Sequence, residues 1–566
     1  MSTLVANTIT LKNYLYLSNG ILKIPYSQRP YEWSKAQAER LFNDFYSVYE
    51  IPSSSHVLNF ITVYKENDDS KYIYDGQQRT VSSLLIVASL IKLLKDIGEG
   101  DSASKFVEKY LASPDEFDDR TFTYKLVFEK NSSQNVFNNY IVYGKNIPDT
   151  VELTDYEKAL KTNYELFYNL FKEKLGTSPS ASNIKLVLKN ILENIILILI
   201  ETSSEDVAIK MFDSLNSTGK QLADFYILKN YLVQILGEEA VKEKWENIES
   251  NTDGKPKNKF LVTYANAING KTSEKNIFNN LKELKILEDR GNSSDFLEEL
   301  EKASVSYLSL ITPSLRSTTD TNQKTIFMDQ INTLNTTLKA GQYRSVILAM
   351  DLKEFPLTDI NRVLKEIISL QLRNIFIGQE PGNTLEQFYP DLAKSIYTNV
   401  IRDAATIIQK LNAQMLSDTL LIDKFKSKLI KTNNDKTTIK YVLRSIYNFE
   451  HQNRNQNEIL INPDTYQITL EHILPERPDQ SSNWVTLFDD SDREKYTFII
   501  GNLTLLLRSP NASASNNEFS VKVNEYSQSA ISHNKILSLK TSWTKDTIDQ
   551  RTVELFNTFI KLWKKQ

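Results

Sequence analysis

The sequence predicts a multidomain α+β protein, with an α/β domain at residues 1–248, a largely helical middle at 249–458 and a carboxy-terminal domain at 459–566. Three observations carry this. Strand-like and helix-like segments alternate through the first part, helical periodicity dominates the middle, and two strand-like runs precede more helical spacing at the end. A chain of 566 residues is also too long for one hydrophobic core. The polar stretches "ESNTDGKPKNK" (249–259) and "HQNRNQNE" (451–458) mark the boundaries.

In chain order, "NGILKIPYSQRPYEW" is extended, because Pro25 and Pro30 forbid a helix interior. "SKAQAERLFNDFYSVY" then predicts a helix capped by Ser34, with Ala38, Leu41, Phe42 and Phe45 at helical spacing. "HVLNFITVYK" and "KYIYDG" read as strands joined by the polar loop "ENDDS". After Gly76 the pattern "QQRTVSSLLIVASLIKLLKDI" is an amphipathic helix. The apolar run from Ile195 to Ile200 predicts a buried strand, followed by a helix through "EDVAIKMFDSLN", a sharp turn at "NSTGKQL" and a helix from about Ala223. "INRVLKEIISLQLRNIF" typifies the helical middle. Near the end, "TYQITL" and "YTFIIGNLTLLL" read as strands, and "NNEFSVKVNEYSQSAI" begins a helix.

Bulk properties exclude some classes. The longest apolar run is far short of the ~20 residues that span a bilayer, so no membrane partner is expected. No secretory signal is visible at the start, and cysteine is absent, which excludes thiolate metal sites and fits a reducing cytoplasm. The formal net charge of −4 does not advertise nucleic-acid binding, although basic residues outnumber acids from Arg508 onward. That tail reads equally as a solvated helix face.

Chemistry concentrates in two places. "DGQQR" (Asp75 to Arg79) lies where a strand hands over to a helix, whose unpaired amides attract anions. Gly76 permits close backbone approach, Arg79 can fork onto phosphate oxygens, Gln77 and Gln78 add neutral donors, and Asp75 can hold a metal or orient water. "QRPYEW" adds Gln28 and Arg29, and "FDSLNSTGKQL" adds Asn216 and Lys220. Each motif alone also reads as a tight turn. Three donor-rich turns in one domain point to an anion, and the absence of "GxxxxGK[ST]" excludes a Walker site.

"IPYSQRPYEW", "YDGQQRT" and "FDSLNSTGKQLADFYILKNYL" resemble, in order and spacing, the amino-terminal domain of the GmrSD family of type IV, modification-dependent restriction endonucleases. The resemblance implies a ParB/sulfiredoxin-like domain that binds or hydrolyses nucleoside triphosphates. Gln28, Arg29, Asp75, Gly76, Gln77, Gln78 and Arg79 would line its pocket, with Asn216 and Lys220 closing it. The chain departs from the family at Asn59-Phe60-Ile61, where a Gly-Ser pair is frequent.

"LEHILPE", "GNLTLL" and the following "N…NNEF…K" (Asn511, Asn516, Phe519, Lys522) and "W…I…R" (Trp543, Ile548, Arg551) are similar to the HNH domain that completes GmrSD proteins, a ββα-metal unit. The residue types suit phosphodiester hydrolysis. Histidine titrates near neutrality and can activate water, and a hard Mg²⁺ or Mn²⁺ ion held by oxygen ligands offsets developing charge. The resemblance makes His472 and Asn502 the catalytic pair, His472 as general base and Asn502 orienting the loop. Glu471 and Asn511 become metal ligands, and Lys522 and Arg508 DNA contacts. The first metal position, often Asp in HNH enzymes, is Glu here. His56, His451 and His533 lie outside the motif.

The expected activity is therefore a nucleotide-regulated, Mg²⁺-dependent endonuclease acting on modified phage DNA. Two rivals stay open: a nucleotide-gated DNA-binding protein with a silent nuclease site, and an RNA-cleaving abortive-infection toxin. Monomer and homodimer are also both open.

Overall fold

The computed structural model describes residues 4–565, apart from 52–53, 116–117, 119–120, 149, 177, 206, 210, 212–223, 275–276, 285 and 454–466. The chain forms two compact units, one of Met1–Asn258 with Lys285–Leu297, the other of Lys259–Leu284 with Glu298–Gln566. The secondary structure is mixed α and β, and the carboxy-terminal half is mainly helical. The helical middle and the carboxy-terminal region share the second unit.

The first unit is organised by a six-stranded sheet. Its strands are β1 (Leu4–Thr10), β2 (Ile21–Lys23), β3 (His56–Lys65), β4 (Ser70–Asp75), β7 (Leu126–Val127) and β8 (Ile195–Thr202), in the order β1-β8-β3-β4-β2-β7. A separate ribbon pairs β5 (Ala112–Pro114) with β6 (Phe122–Tyr124). β3 and β4 form the antiparallel hairpin expected around "ENDDS", whereas β3 and β8 pair in parallel across a long connection. Asn59 in β3 has φ +83°, at a bulge between Val57 and Phe60. Asparagine tolerates this left-handed conformation better than most residues.

Helix Gln77–Asp96 is buried along nearly its whole length, which explains its shortage of charge. It packs with helices Lys35–Glu50, Asp155–Leu175 and Ala181–Asn194 into one core containing Phe42, Phe45, Leu85, Leu160, Phe167 and Phe171. Helix Lys35–Glu50 opens with a capping box between Ser34 and Gln37, satisfying first-turn amides.

One core residue defies its type. Lys125 is fully buried, and its ammonium donates to the carbonyls of Tyr16 (3.0 Å) and Gly20 (2.5 Å). Burial pushes its pKa down from 10.5 to about 7. The unfolded chain therefore holds this proton more tightly, so stability should rise with pH between 7 and 10.5, by an amount on the order of a few kcal/mol. Lys125→Met removes that titration. The gap in unfolding free energy, wild type minus variant, should increase from pH 7 to pH 10, and parallel pH curves for the two proteins would contradict this.

Among its described residues the second unit is mainly helical and has two strands, β9 (Ile468–His472) and β10 (Leu503–Leu507), which pair antiparallel with Leu503 opposite His472 and Thr504 opposite Glu471. Helix Arg508–Ala514 follows β10 directly, and helices Phe519–Ser527 and Lys545–Leu562 pack nearby. "YTFII" is not a strand. Helix Asp490–Tyr496 covers its first residue, and Ile500–Asn502 forms a tight 3-10 turn against helix Lys545–Leu562. Gly501 is required there, because a Cβ would collide with Thr552 Oγ1 and the Ile548 carbonyl.

Candidate functional site

The β9–β10 ribbon holds the residues singled out near the carboxy terminus. Asn502 is fully buried and its side chain makes four hydrogen bonds. Its Oδ1 accepts from the Leu474 amide (2.7 Å) and Trp543 Nε1 (2.9 Å), and its Nδ2 donates to the carbonyls of Leu474 and Thr497 (both 3.0 Å). Arg551 donates to the carbonyls of Gly501 (2.6 Å) and Leu503 (2.8 Å) and to Tyr447 Oη (2.9 Å). Asn502, Trp543 and Arg551 thus fix the chain on both sides of the ribbon's end.

Glu471 and His472 leave β9 toward different partners, as consecutive strand residues do. The Glu471 carboxylate is buried, accepting at Oε1 from Lys522 Nζ (2.7 Å) and Tyr526 Oη (3.0 Å). Burial raises its pKa, against the pull of Lys522 and Tyr526. The His472 ring stands edge-on to Phe498 at 6.0 Å, with Nε2 at 3.3 Å from Glu476 Oε1. The two groups are not aligned as a hydrogen bond, and Nε2 is buried without one. Burial is the main force holding this imidazole below its ordinary pKa, so it is neutral at neutral pH. Asn511, on the helix after β10, donates from its amide to Thr469 Oγ1 (2.7 Å) and the Leu470 carbonyl (3.2 Å), both on β9.

Among the described residues no group of three or more His, Cys, Asp or Glu side chains could hold a metal ion. The two residues expected to hold an ion offer one carboxylate, Glu471, whose Oε1 already accepts from Lys522 and Tyr526, and one amide oxygen, Asn511. That set fits a hard ion such as Mg²⁺, which binds through one or two carboxylates and keeps several waters. It does not fit a soft or fully caged ion.

The DNA-contact expectation is corrected at Lys522. That side chain is completely buried, with its ammonium given to Glu471 Oε1 and to the His472 carbonyl (2.9 Å), so it cannot reach a phosphate. Arg508 is exposed at the start of its helix.

In the first unit, β4 ends at Asp75, and Gly76 turns the chain at φ +86° into helix Gln77–Asp96. A Cβ there would lie 2.8 Å from Ile61 Cγ1, so glycine is needed twice over. The two glutamines clamp the "QRPYE" segment. Gln77 Nε2 donates to the Arg29 carbonyl (2.7 Å), while Gln78 donates to the Pro30 carbonyl and accepts from the Glu32 amide (both 2.9 Å). Arg79 pairs with Asp75 (3.3 Å) and donates to the Leu58 carbonyl (3.2 Å), and Arg29 pairs with Glu32 (2.9 Å). Gln28 Nε2 and Gln77 Oε1 are buried without partners, and both residues line a small cavity with Tyr26, Tyr31, Lys130 and Lys229. Asn216 and Lys220 lie outside the described residues.

Two stretches match family profiles: "GmrSD restriction endonuclease, N-terminal domain" over residues 11–233, and "GmrSD restriction endonucleases, C-terminal domain" over residues 417–558. The chain belongs to the GmrSD family of restriction endonucleases. A comparison with curated proteins gives no match. As a GmrSD protein it is a restriction endonuclease, a hydrolase of phage defence acting on DNA. No helix among its described residues is long and apolar enough to cross a membrane.

The GmrSD fold also buries lysines that sequence reasoning passed over. Lys229 is enclosed, 3.4 Å from Glu249 and 3.8 Å above the Tyr26 ring, and Lys130 also pairs with Glu249. The signal was present: Lys229 interrupts the apolar stripe Phe225, Leu228, Leu232, Leu236 of its helix.

Proposed function

We propose that this protein is a type IV, modification-dependent DNA endonuclease, in which a ParB/sulfiredoxin-like domain binding a nucleoside triphosphate regulates a Mg²⁺- or Mn²⁺-dependent HNH site of ββα-metal type. The observation that carries this is His472, a neutral imidazole at the end of β9, inside the matched carboxy-terminal domain.

In this reading water attacks the phosphorus and the bond to the 3′ oxygen breaks, leaving a 5′-phosphate and a 3′-hydroxyl. His472 takes the proton the water loses, which an uncharged imidazole can do. Solvent supplies a proton to the leaving oxygen. Asn502 acts at a distance, holding the loop that follows β9. Glu471 and Asn511 would hold the ion, which supplies positive charge against the negative charge developing on phosphate and leaving oxygen. Lys522 and Tyr526 keep the Glu471 carboxylate in one orientation. Exposed Arg508 is left to meet the DNA backbone.

At the amino-terminal site, the helix start at Gly76 and the guanidinium groups of Arg29 and Arg79 would meet the triphosphate. Both arginines sit in pairs whose side chains remain partly exposed, so phosphate can replace the carboxylate partner. Arg79→Ala should weaken nucleotide binding about 10-fold or more, equivalent to roughly 1.5–3 kcal/mol for a charged hydrogen bond. Titration calorimetry measures this, and unchanged affinity would remove Arg79 from the pocket. The nucleotide would act by altering cleavage, so that wild-type cutting of phage DNA depends on the triphosphate and the variant responds only at raised concentration.

A further inference from the structure

Glu476, the last residue of "LEHILPE", lies outside every role assigned above, yet its carboxylate stands beside the His472 ring. Its Oε1 is 3.3 Å from His472 Nε2 and 3.1 Å from Lys436 Nζ, which projects from the first turn of helix Asn433–Asn453. Among the described residues no other carboxylate lies within ion-pair distance of this imidazole. The turn between the two residues is fixed. The Ile473 amide donates to the Asn502 carbonyl (3.0 Å), and Asn502 binds both the amide and the carbonyl of Leu474.

We propose that Glu476 is a positioning residue for His472: anchored by Lys436, it takes the Nε2 proton as a hydrogen bond and leaves Nδ1 as the nitrogen that meets the reacting water. The proposal rests on the reading of His472 as general base. A neutral imidazole carries one proton, and the group facing each nitrogen decides which one holds it. A lone pair on Nε2 would face the carboxylate's negative charge, whereas a proton there turns repulsion into attraction. The present contact is slightly long and misaligned. Such contacts are often loose without substrate and tighten when it is bound. Lys436 keeps Glu476 from swinging into solvent, since one oxygen serves both cationic partner and ring.

The chain's four histidines make the test readable. Protein labelled with ¹⁵N at histidine gives a ring-nitrogen pattern for each, and the His472 pattern is the one missing in His472→Ala. Wild type should show His472 protonated at Nε2. Glu476→Gln should keep that tautomer, because its amide oxygen accepts the same bond, whereas Glu476→Ala should shift it toward a mixture. Glu476 and Lys436 are both a third or more exposed, so the variants should fold. With phage DNA, Glu476→Ala should lower kcat about 10- to 100-fold, the range lost when the partner that orients a metal-bound histidine is removed. KM should be unchanged, and Glu476→Gln should retain most of the rate. Wild-type His472 protonated at Nδ1, a doubly protonated ring, or a pattern unaltered in Glu476→Ala would each overturn the proposal. Absence of cutting by wild type itself would instead sink the general-base reading, and the tautomer measurement keeps the two failures apart.

Discussion

His472→Ala should abolish DNA cleavage while leaving the fold and nucleotide binding intact. Loss of a general base costs about 10²- to 10⁴-fold in rate. The lower end would apply if ion-assisted attack by unassisted water carries part of the reaction. The substitution is mild structurally. The imidazole makes no closed hydrogen bond through Nε2, and its ring meets Phe498 only edge-on. The thermal midpoint should therefore move little, and nucleotide affinity, set in the first unit, should not move. Plasmid or phage DNA cut at the wild-type rate would mean that the imidazole does not participate.

Asn502→Ala should do the opposite, destabilising the second unit and losing cleavage as a consequence. The substitution strips partners from the Leu474 amide and carbonyl, the Thr497 carbonyl and Trp543 Nε1, in a region with no exposure at residue 502. A buried polar group left unpaired costs about 1–3 kcal/mol. Some of the four will find new partners, so the expected loss is about 3–5 kcal/mol, at the upper end for a single substitution. Asn502→Asp keeps the two acceptor bonds but loses both donors and buries a charge, so it should be comparably damaging. Denaturant unfolding checks this, with a change under about 1 kcal/mol contradicting a scaffolding role. The two variants separate chemistry from architecture: His472→Ala should be stable and inactive, Asn502→Ala unstable and inactive.

Much of the first unit was legible in the sequence, because local patterns dictate it. "HVLNFITVYK" and "KYIYDG" alternate and flank a polar loop, and the run beginning at Ile195 is apolar enough for a buried strand. The strand order was not legible. Pairing β3 with β8 joins residues more than a hundred positions apart, and nothing local encodes that. "YTFII" misled because apolar residues can equally cover a 3-10 turn that packs on a helix, here Lys545–Leu562. At the sites, residue types were visible but not their partners. Lys522 reads as a surface cation until the fold brings it to Glu471, 51 positions away. Gln77 and Gln78 read as phosphate donors, whereas their amides grip the "QRPYE" backbone.

Ion-dependent hydrolysis of DNA by the carboxy-terminal domain underlies every expectation about cleavage above. Its most direct measurement incubates the full-length protein and a nucleoside triphosphate with DNA from phages of modified and unmodified genomes, in Mg²⁺ and in EDTA. Fragments with 5′-phosphate ends are expected from modified DNA in Mg²⁺, and intact DNA in EDTA. Fragments that persist in EDTA, or DNA of both kinds left whole in Mg²⁺ by a protein that still binds nucleotide, would contradict it.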